Sequence, residues 1–338
     1  LPNPQVAAAP FAVDFDVAAR TGKLWIRFAG RTCAGSEEES CRWTPKGEWV
    51  ELILKGVSWS GFQLPGINCV EELGGFQYPR PIAEYTRVLQ EHRFNAVRLP
   101  IYAKGVLENP LLVENRCGRL SHDNNHEPIK RYNEALKVII DSLGSVGSFV
   151  MLDMHSLEGG TNSPTWCGAD ECGPSNEARL IQAWTKLAAD LCTSAPNVVI
   201  ADLFNEPHGA TWEAWSRAVA RIGNAILRVC PRWLIGAQGV GGGSGECNRY
   251  GGTACWWGEN IMGQLEHPIT LAVPDRLVLL PHTYGHGSHN YMSSPNFPRD
   301  LPETWERLWG RVARQTGAPV VIGEWGGRMQ GKAEQWQR

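Results

Sequence analysis

Short apolar runs alternate along this chain with amphipathic helical stretches, and that alternation constrains the fold more than any other feature. The runs are Leu52–Trp59, Asn95–Ile101, Phe149–His155, Val198–Phe204, Leu234–Gln238, Leu277–His282 and Pro319–Trp325. Between most of them lie the helical patterns Ile82–His92, Ile129–Leu143, Asn176–Cys192, Trp212–Val229 and Glu303–Gln315. Nearly continuous apolar runs read as parallel strands covered on both faces, and the helical patterns as their crossovers. The order predicts an α/β fold, a (β/α)8 TIM barrel that is one strand short. A chain of 338 residues is long for one domain, but barrels of this kind exceed 200 residues as a single unit. We find no linker and no internal repeat. Residues 1–50 lack the alternation and are read as an N-terminal extension packed on the barrel of 51–338. Within it, Lys23–Phe28 and Glu48–Leu54 are expected to pair as a hairpin closing the barrel floor around a Cys33–Cys41 loop.

Charge and hydropathy exclude several functions. Lys plus Arg number 32 against 35 Asp plus Glu, a net charge of -3, and no basic stripe stands ready to neutralise phosphates. Nucleic acid is therefore not an expected partner. No apolar run approaches the roughly 20 residues that span a bilayer, so no membrane span is predicted. Disorder is disfavoured by 43% hydrophobic content with little net charge. The 15 Trp residues are unusual, because an indole is a large flat apolar face with one donor and suits either a core or a ligand surface.

The ten cysteines suggest an oxidising compartment and disulfides, hence a secreted protein. The chain opens on Leu1, as a mature or clipped end would. Three close pairs, Cys33 with Cys41, Cys167 with Cys172 and Cys247 with Cys255, lie where a short loop can be stapled. The chain has no CxxC and no second Cys or His pair at zinc spacing, so no metal site is predicted.

In a parallel barrel every strand delivers its last residues to one face, and polar groups ending separate runs converge there. The strand ends supply Arg98, His155, Asn205 with Glu206, His282 with Tyr284, and Glu324. Two carboxylates facing each other suit glycoside hydrolysis: one carboxyl protonates the departing oxygen, the other attacks the anomeric carbon or activates water. Their separation decides between retention and inversion, and at this point both remain open. The Gly-rich stretch Gly239–Gly258 reads as a long loop after the fifth strand, a length usually tied to function.

Four segments together are distinctive: Phe204-Asn205-Glu206-Pro207, Ile322-Gly323-Glu324-Trp325-Gly326-Gly327, Asn95-Ala96-Val97-Arg98-Leu99-Pro100 and Gly56-Val57-Ser58-Trp59. With Cys255-Trp256-Trp257-Gly258-Glu259-Asn260 they resemble glycoside hydrolase family 5, nearest its bacterial-type endo-β-1,4-glucanases, from about Leu54 to the end. The resemblance implies Glu206 as general acid/base, Glu324 as nucleophile, a retaining mechanism on internal β-1,4-glucosidic bonds of cellulose or related β-glucans, and no cofactor. Arg98 and Tyr284 are then expected to hold Glu324 ionised and oriented, Asn205 to bond the sugar 2-hydroxyl, and His155 and His282 to contact substrate or the carboxylates.

Trp59, Trp256 and Trp257 are the expected platforms for the sugar rings of a β-linked polysaccharide or oligosaccharide, and Trp166 either joins them or packs beneath its loop. The resemblance also pairs Cys69 with Cys117 and Cys192 with Cys230. Family members continue past the nucleophile into a further helix, strand and helix, so the barrel is expected to be truncated after its seventh strand, a fragment of a longer product. A β-mannanase, a glycolipid-directed glycosidase and a catalytically silent carbohydrate-binding fragment are the alternatives to the glucanase.

Overall fold

The computed structural model describes residues 15–28, 30–33, 41–44, 47–64, 82–112, 131–160, 163–167, 177–241, 255–285 and 290–338. Strands β1 (Phe15–Arg20) and β2 (Lys23–Phe28) form an antiparallel hairpin around Thr21 and Gly22, both at positive φ (53° and 74°). Two left-handed residues in a two-residue turn match the right-handed twist of the strands, and Gly22 takes that conformation without a Cβ clash. Strands β3 (Gly30–Cys33) and β4 (Cys41–Thr44) form a second antiparallel pair. The short β5 (Val50–Glu51) pairs with β2, Trp25 opposite Glu51 and Ile26 opposite Val50. The expected partners therefore meet, but the hairpin itself is β1–β2, a turn signalled only by Thr21-Gly22.

The barrel sheet is all parallel and ordered as the chain runs: β6 (Gly56–Ser58), β7 (Ala96–Tyr102), β8 (Phe149–Ser156), β9 (Val198–Asp202), β10 (Leu234–Ala237) and β11 (Leu277–Leu279). The sixth predicted strand, Leu277–His282, is split. Pro281 lacks the N–H a ladder needs, and beyond it β12 (His282–Gly285) leaves β10 behind and pairs in parallel with β13 (Glu324–Gly327). A parallel bridge from Leu279 to Val320 carries the seventh strand position onto the sixth.

Helices α1 (Ile82–Glu91), α2 (Ala103–Glu108), α3 (Tyr132–Ser145), α4 (Ala178–Leu191) and α5 (Trp212–Val229) connect the strands. The α5 helix shows how the sequence specifies a crossover. Thr211 caps its start by accepting from the Ala214 N–H at 3.2 Å, and Trp212, Trp215, Val219, Ile222 and Ile226 bury one face at helical spacing. The predicted helix Glu303–Gln315 is three pieces: α6 (Leu301–Trp305), a wider π turn at Glu306–Gly310, and α7 (Arg311–Thr316). After β13, α8 (Gly331–Gln337) buries Trp336 with its ring 4.3 Å from that of Trp325.

Phe15, Val17, Ala19, Leu24 and Ile26 of the hairpin bury their side chains with Ala96, Phe149, Val199, Leu234 and Val278, residues near the starts of β7 to β11. The hairpin thus seals the N-terminal end of the barrel with apolar surface and leaves the opposite end for polar chemistry. Cys192 and Cys230 are joined as expected, 38 residues apart, at the ends of α4 and α5. Cys167 and Cys255 are also in disulfides, and their expected partners Cys172 and Cys247 lie outside the described residues, as do Cys69 and Cys117. Cys33 and Cys41 stand opposite each other in the β3–β4 register. No described helix is long and apolar enough to cross a membrane.

Candidate active site

Parallel register places the polar strand residues side by side: Ser58 beside Arg98, Asp153 beside Asp202, and His282 beside Glu324. Arg98, 4% exposed, is the hub. Its Nη1 lies 2.5 Å from Glu324 Oε1, its Nε donates to Asp202 Oδ2 at 3.0 Å, and its Nη2 reaches Asn205 Oδ1 at 2.9 Å and Asp153 Oδ2 at 3.0 Å. Burial alone would lower the guanidinium pKa, but Asp153, Glu324 and Asp202 outweigh it and raise it above its ordinary value.

Glu324 receives the Tyr284 hydroxyl on its other oxygen. Burial alone would raise its pKa; His282, Arg98 and the Tyr284 hydrogen bond win and hold it well below the usual carboxylate range. Tyr284 responds in the opposite sense, raised by burial and by the Glu324 charge. Glu206 follows β9 and is 7% exposed. His282 Nδ1 sits 3.0 Å from Glu206 Oε1 and 3.7 Å from Glu324 Oε2, and one donor atom from each of the three residues falls within 4.8 Å of the others. That spacing could bridge a divalent cation, yet Arg98 and Tyr284 already occupy both Glu324 oxygens. His155 Nδ1 lies 2.7 Å from Asp153 Oδ2; burial lowers its pKa, and Asp153 more than reverses this.

The aromatic residues divide. Trp257 stacks on His208 with ring centroids 3.8 Å apart at 10°, and Trp256 on Trp257 at 5.5 Å and 21°. Gly258, at φ 73°, carries this pair onto the carboxylates: a Cβ there would stand 3.2 Å from Glu206 Cγ and 3.3 Å from His282 Cγ. Trp59 is different from the expectation. It is 6% exposed and packs in the core with its ring 5.1 Å from that of Tyr85, although Ser58 and Ser60 on either side of it are exposed. It holds a packing position, not an open stacking face. Trp166 also packs, 1% exposed, donating to Glu177 Oε1 at 3.0 Å with its ring 4.8 Å from Trp215.

Over residues 53–338 the sequence matches the family description "Cellulase (glycosyl hydrolase family 5)". The chain belongs to glycosyl hydrolase family 5. It is 33% identical over 293 residues to an endoglucanase of Paenibacillus polymyxa, covering 82% of this chain and 68% of that protein. It is 30% identical over 287 residues to the major extracellular endoglucanase of Xanthomonas campestris pv. campestris, covering 81% of this chain and 54% of that protein. The chain thus spans about half of the second relative. A hyperthermophilic endocellulase of Pyrococcus horikoshii superposes with a TM-score of 0.76 at 26% identity, over 97% of this chain and 86% of that one. The catalytic domain of the Xanthomonas endoglucanase superposes at 0.71 and 27% identity, over 86% and 81%. The family 5 barrel accounts for the parallel sheet and its polar rim.

Three residues of this rim escaped the strand-end reading: Asp153, Asp202 and Gln238. The two aspartates are fully buried, and the signal for them was present, a charged residue inside each apolar run. Asp202 is pushed up to about 7 by burial, with Asp153 adding to the rise and Arg98 opposing it.

Proposed function

We infer that this family 5 barrel is the catalytic part of a retaining endo-β-1,4-glucanase acting on cellulose or related β-glucans. The observation that carries the reading is the approach of Glu206 and Glu324, with carboxylate oxygens within 4.8 Å across the site. Double displacement needs carboxyl groups about 5 to 5.5 Å apart, whereas inversion needs about 6.5 to 9.5 Å to admit water.

The roles follow from what each carboxyl touches. Glu324, kept ionised by Arg98 and Tyr284, attacks the anomeric carbon and forms a glycosyl ester. Glu206, facing His282, gives its proton to the departing glycosidic oxygen, then takes one from the water that cleaves the ester. The Asn205 Oδ1 is held by Arg98, which leaves Nδ2 as the donor toward the sugar 2-hydroxyl. Trp256 and Trp257 supply the apolar faces on which glucosyl rings stack. The substrate class draws support from the endoglucanase relatives and from Pyrococcus horikoshii endocellulase variants solved with cellotetraose. Action outside the cell draws support from the extracellular Xanthomonas relative and from the disulfides.

The test is hydrolysis of carboxymethylcellulose, mannan and a glycolipid, with the anomer of the first product followed by proton NMR. Cleavage of carboxymethylcellulose with β-anomer product, abolished in Glu324→Gln, is the expected result. The α-anomer as first product, or preferred turnover of mannan or glycolipid, would overturn it.

A further inference from the structure

Glu206 is the one residue of the site whose backbone is forced out of the ordinary regions. Its φ is 48°, and the other non-glycine residues with positive φ among those described, Thr21, Arg93, Asn109 and Asp275, lie away from the rim. A side chain in the left-handed region persists only where its surroundings over-determine it. Two groups do so. The Glu206 N–H donates to Gln238 Oε1 at 2.7 Å, and the Glu206 carbonyl lies 2.8 Å from His208 Nδ1.

Gln238 is itself fixed in every direction. It is fully buried at the end of β10, its carbonyl accepts from Trp215 Nε1 at 2.9 Å, and its Nε2 donates to Asp202 Oδ2 at 2.8 Å. The amide cannot be turned over, because the Glu206 N–H needs an acceptor and the Asp202 carboxylate needs a donor. Asp202 Oδ2 also accepts from Arg98 Nε, and Arg98 Nη1 holds Glu324. A continuous run of hydrogen bonds therefore joins one carboxylate residue to the backbone of the other: Glu324, Arg98, Asp202, Gln238, Glu206.

We propose that Gln238 is a positioning residue for the acid/base step, holding Glu206 in its left-handed conformation so that its carboxyl meets the glycosidic oxygen. This rests on the acid/base role inferred for Glu206. Gln238 touches no reacting atom; it acts through the Glu206 backbone, and its amide supplies both the acceptor and the donor that the two neighbours need.

The experiment compares kcat/KM for cellotetraose with that for 2,4-dinitrophenyl β-cellobioside, whose leaving group departs without a proton. Gln238→Leu removes both amide contacts at similar volume. It is expected to lose about 10²-fold on cellotetraose, within the range of one general acid, and under about 3-fold on the aryl substrate. Added azide should raise its turnover of the aryl substrate, since azide opens the glycosyl ester without a base.

Glu206→Ala, assayed in parallel, separates the two readings. If it shows no such selectivity, the acid/base assignment falls and Gln238 falls with it. If it does and Gln238→Leu loses equally on both substrates, only the positioning role falls.

Should the leucine variant not fold, Gln238→Asn decides. It keeps a neutral amide but is one methylene too short to hold the Glu206 N–H and Asp202 Oδ2 together. Cellotetraose kcat/KM should fall while the aryl kcat/KM stays near that of wild type; an equal loss on both substrates, or none on cellotetraose, would overturn the proposal.

Discussion

Arg98 Nη1 stands 2.5 Å from Glu324 Oε1, and the same guanidinium bonds Asp202, Asn205 and Asp153. Five donors in a planar fork make this possible; the point charge of an ammonium cannot reach the same partners. Arg98→Lys should therefore lower kcat/KM on cellotetraose by about 10²-fold or more. Arg98→Met leaves three buried carboxylates without their cation, and thermal or urea unfolding should report a loss of about 3 to 5 kcal/mol. A methionine variant as stable as wild type would contradict the hub role.

Tyr284 donates to the Glu324 oxygen that Arg98 leaves free. Tyr284→Phe deletes one hydrogen bond to a charged group and keeps the ring. Such a bond contributes about 1.5 to 3 kcal/mol, so kcat should fall about 10- to 100-fold with the melting temperature nearly unchanged. A fall in melting temperature matching the loss of activity would mean the phenol serves the fold and not the carboxylate.

The alternation of runs and helices made the barrel legible, since parallel strands buried on both faces must be apolar and the crossovers must be amphipathic. The strand ends made the rim legible for the same reason: Arg98, Glu206, His282 and Glu324 interrupt apolar patterns at the one place where parallel strands meet. Other features were not readable locally. Gln238 looks like any polar residue after a strand, and its importance arises from the φ of Glu206, which sequence does not display. Trp59 follows an apolar run just as a platform residue would, yet packing against Tyr85 decides its place. The β1–β2 hairpin is not legible locally, because Asp16 and Arg20 interrupt the apolar character of Phe15–Arg20 and its turn carries one glycine.

Trp257 lies flat on His208 at 3.8 Å and beside Trp256, which makes a continuous aromatic wall leading to Glu206. Removing the indole by Trp257→Ala should cost a bound sugar ring about 1 to 1.5 kcal/mol, seen as KM rising about 10-fold. Steady-state kinetics on cellotetraose and cellotriose would check it, with kcat changed far less than KM. A loss confined to kcat would place Trp257 in the chemistry instead.

The bridge from Cys192 to Cys230 closes a 38-residue stretch between the ends of α4 and α5, far from the polar rim in the connectivity of the barrel. In the chain-entropy account a loop of this size contributes about 4 kcal/mol by restricting the unfolded chain. The double substitution Cys192→Ala with Cys230→Ala should lower the melting temperature while kcat at 25 °C stays near that of wild type. Arg232 moderates the effect, because its guanidinium also ties the Cys192, Ala195 and Pro196 carbonyls at 2.8 to 3.1 Å.

The low pKa of Glu324 makes a prediction about stability with a definite sign. A carboxyl whose folded pKa is depressed below its unfolded value of 4.5 contributes stability that is fully present above that value and is lost as pH falls toward the folded one. The stability difference between wild type and Glu324→Gln, measured by urea unfolding, should then be constant at pH of about 6 and above and shift against wild type as pH is lowered toward about 3. Asp202 works the other way: burial raises it to about 7, so its ionisation destabilises the folded state as pH rises from about 4 to 7. Asp202 is common to both proteins, so its slope largely cancels in their difference, and the acid-side change from Glu324 should persist in an Asp202→Asn background. A difference that widens in favour of wild type on acidification would mean Glu324 is not held ionised by Arg98 and Tyr284, and the assignment of nucleophile would have to be given up.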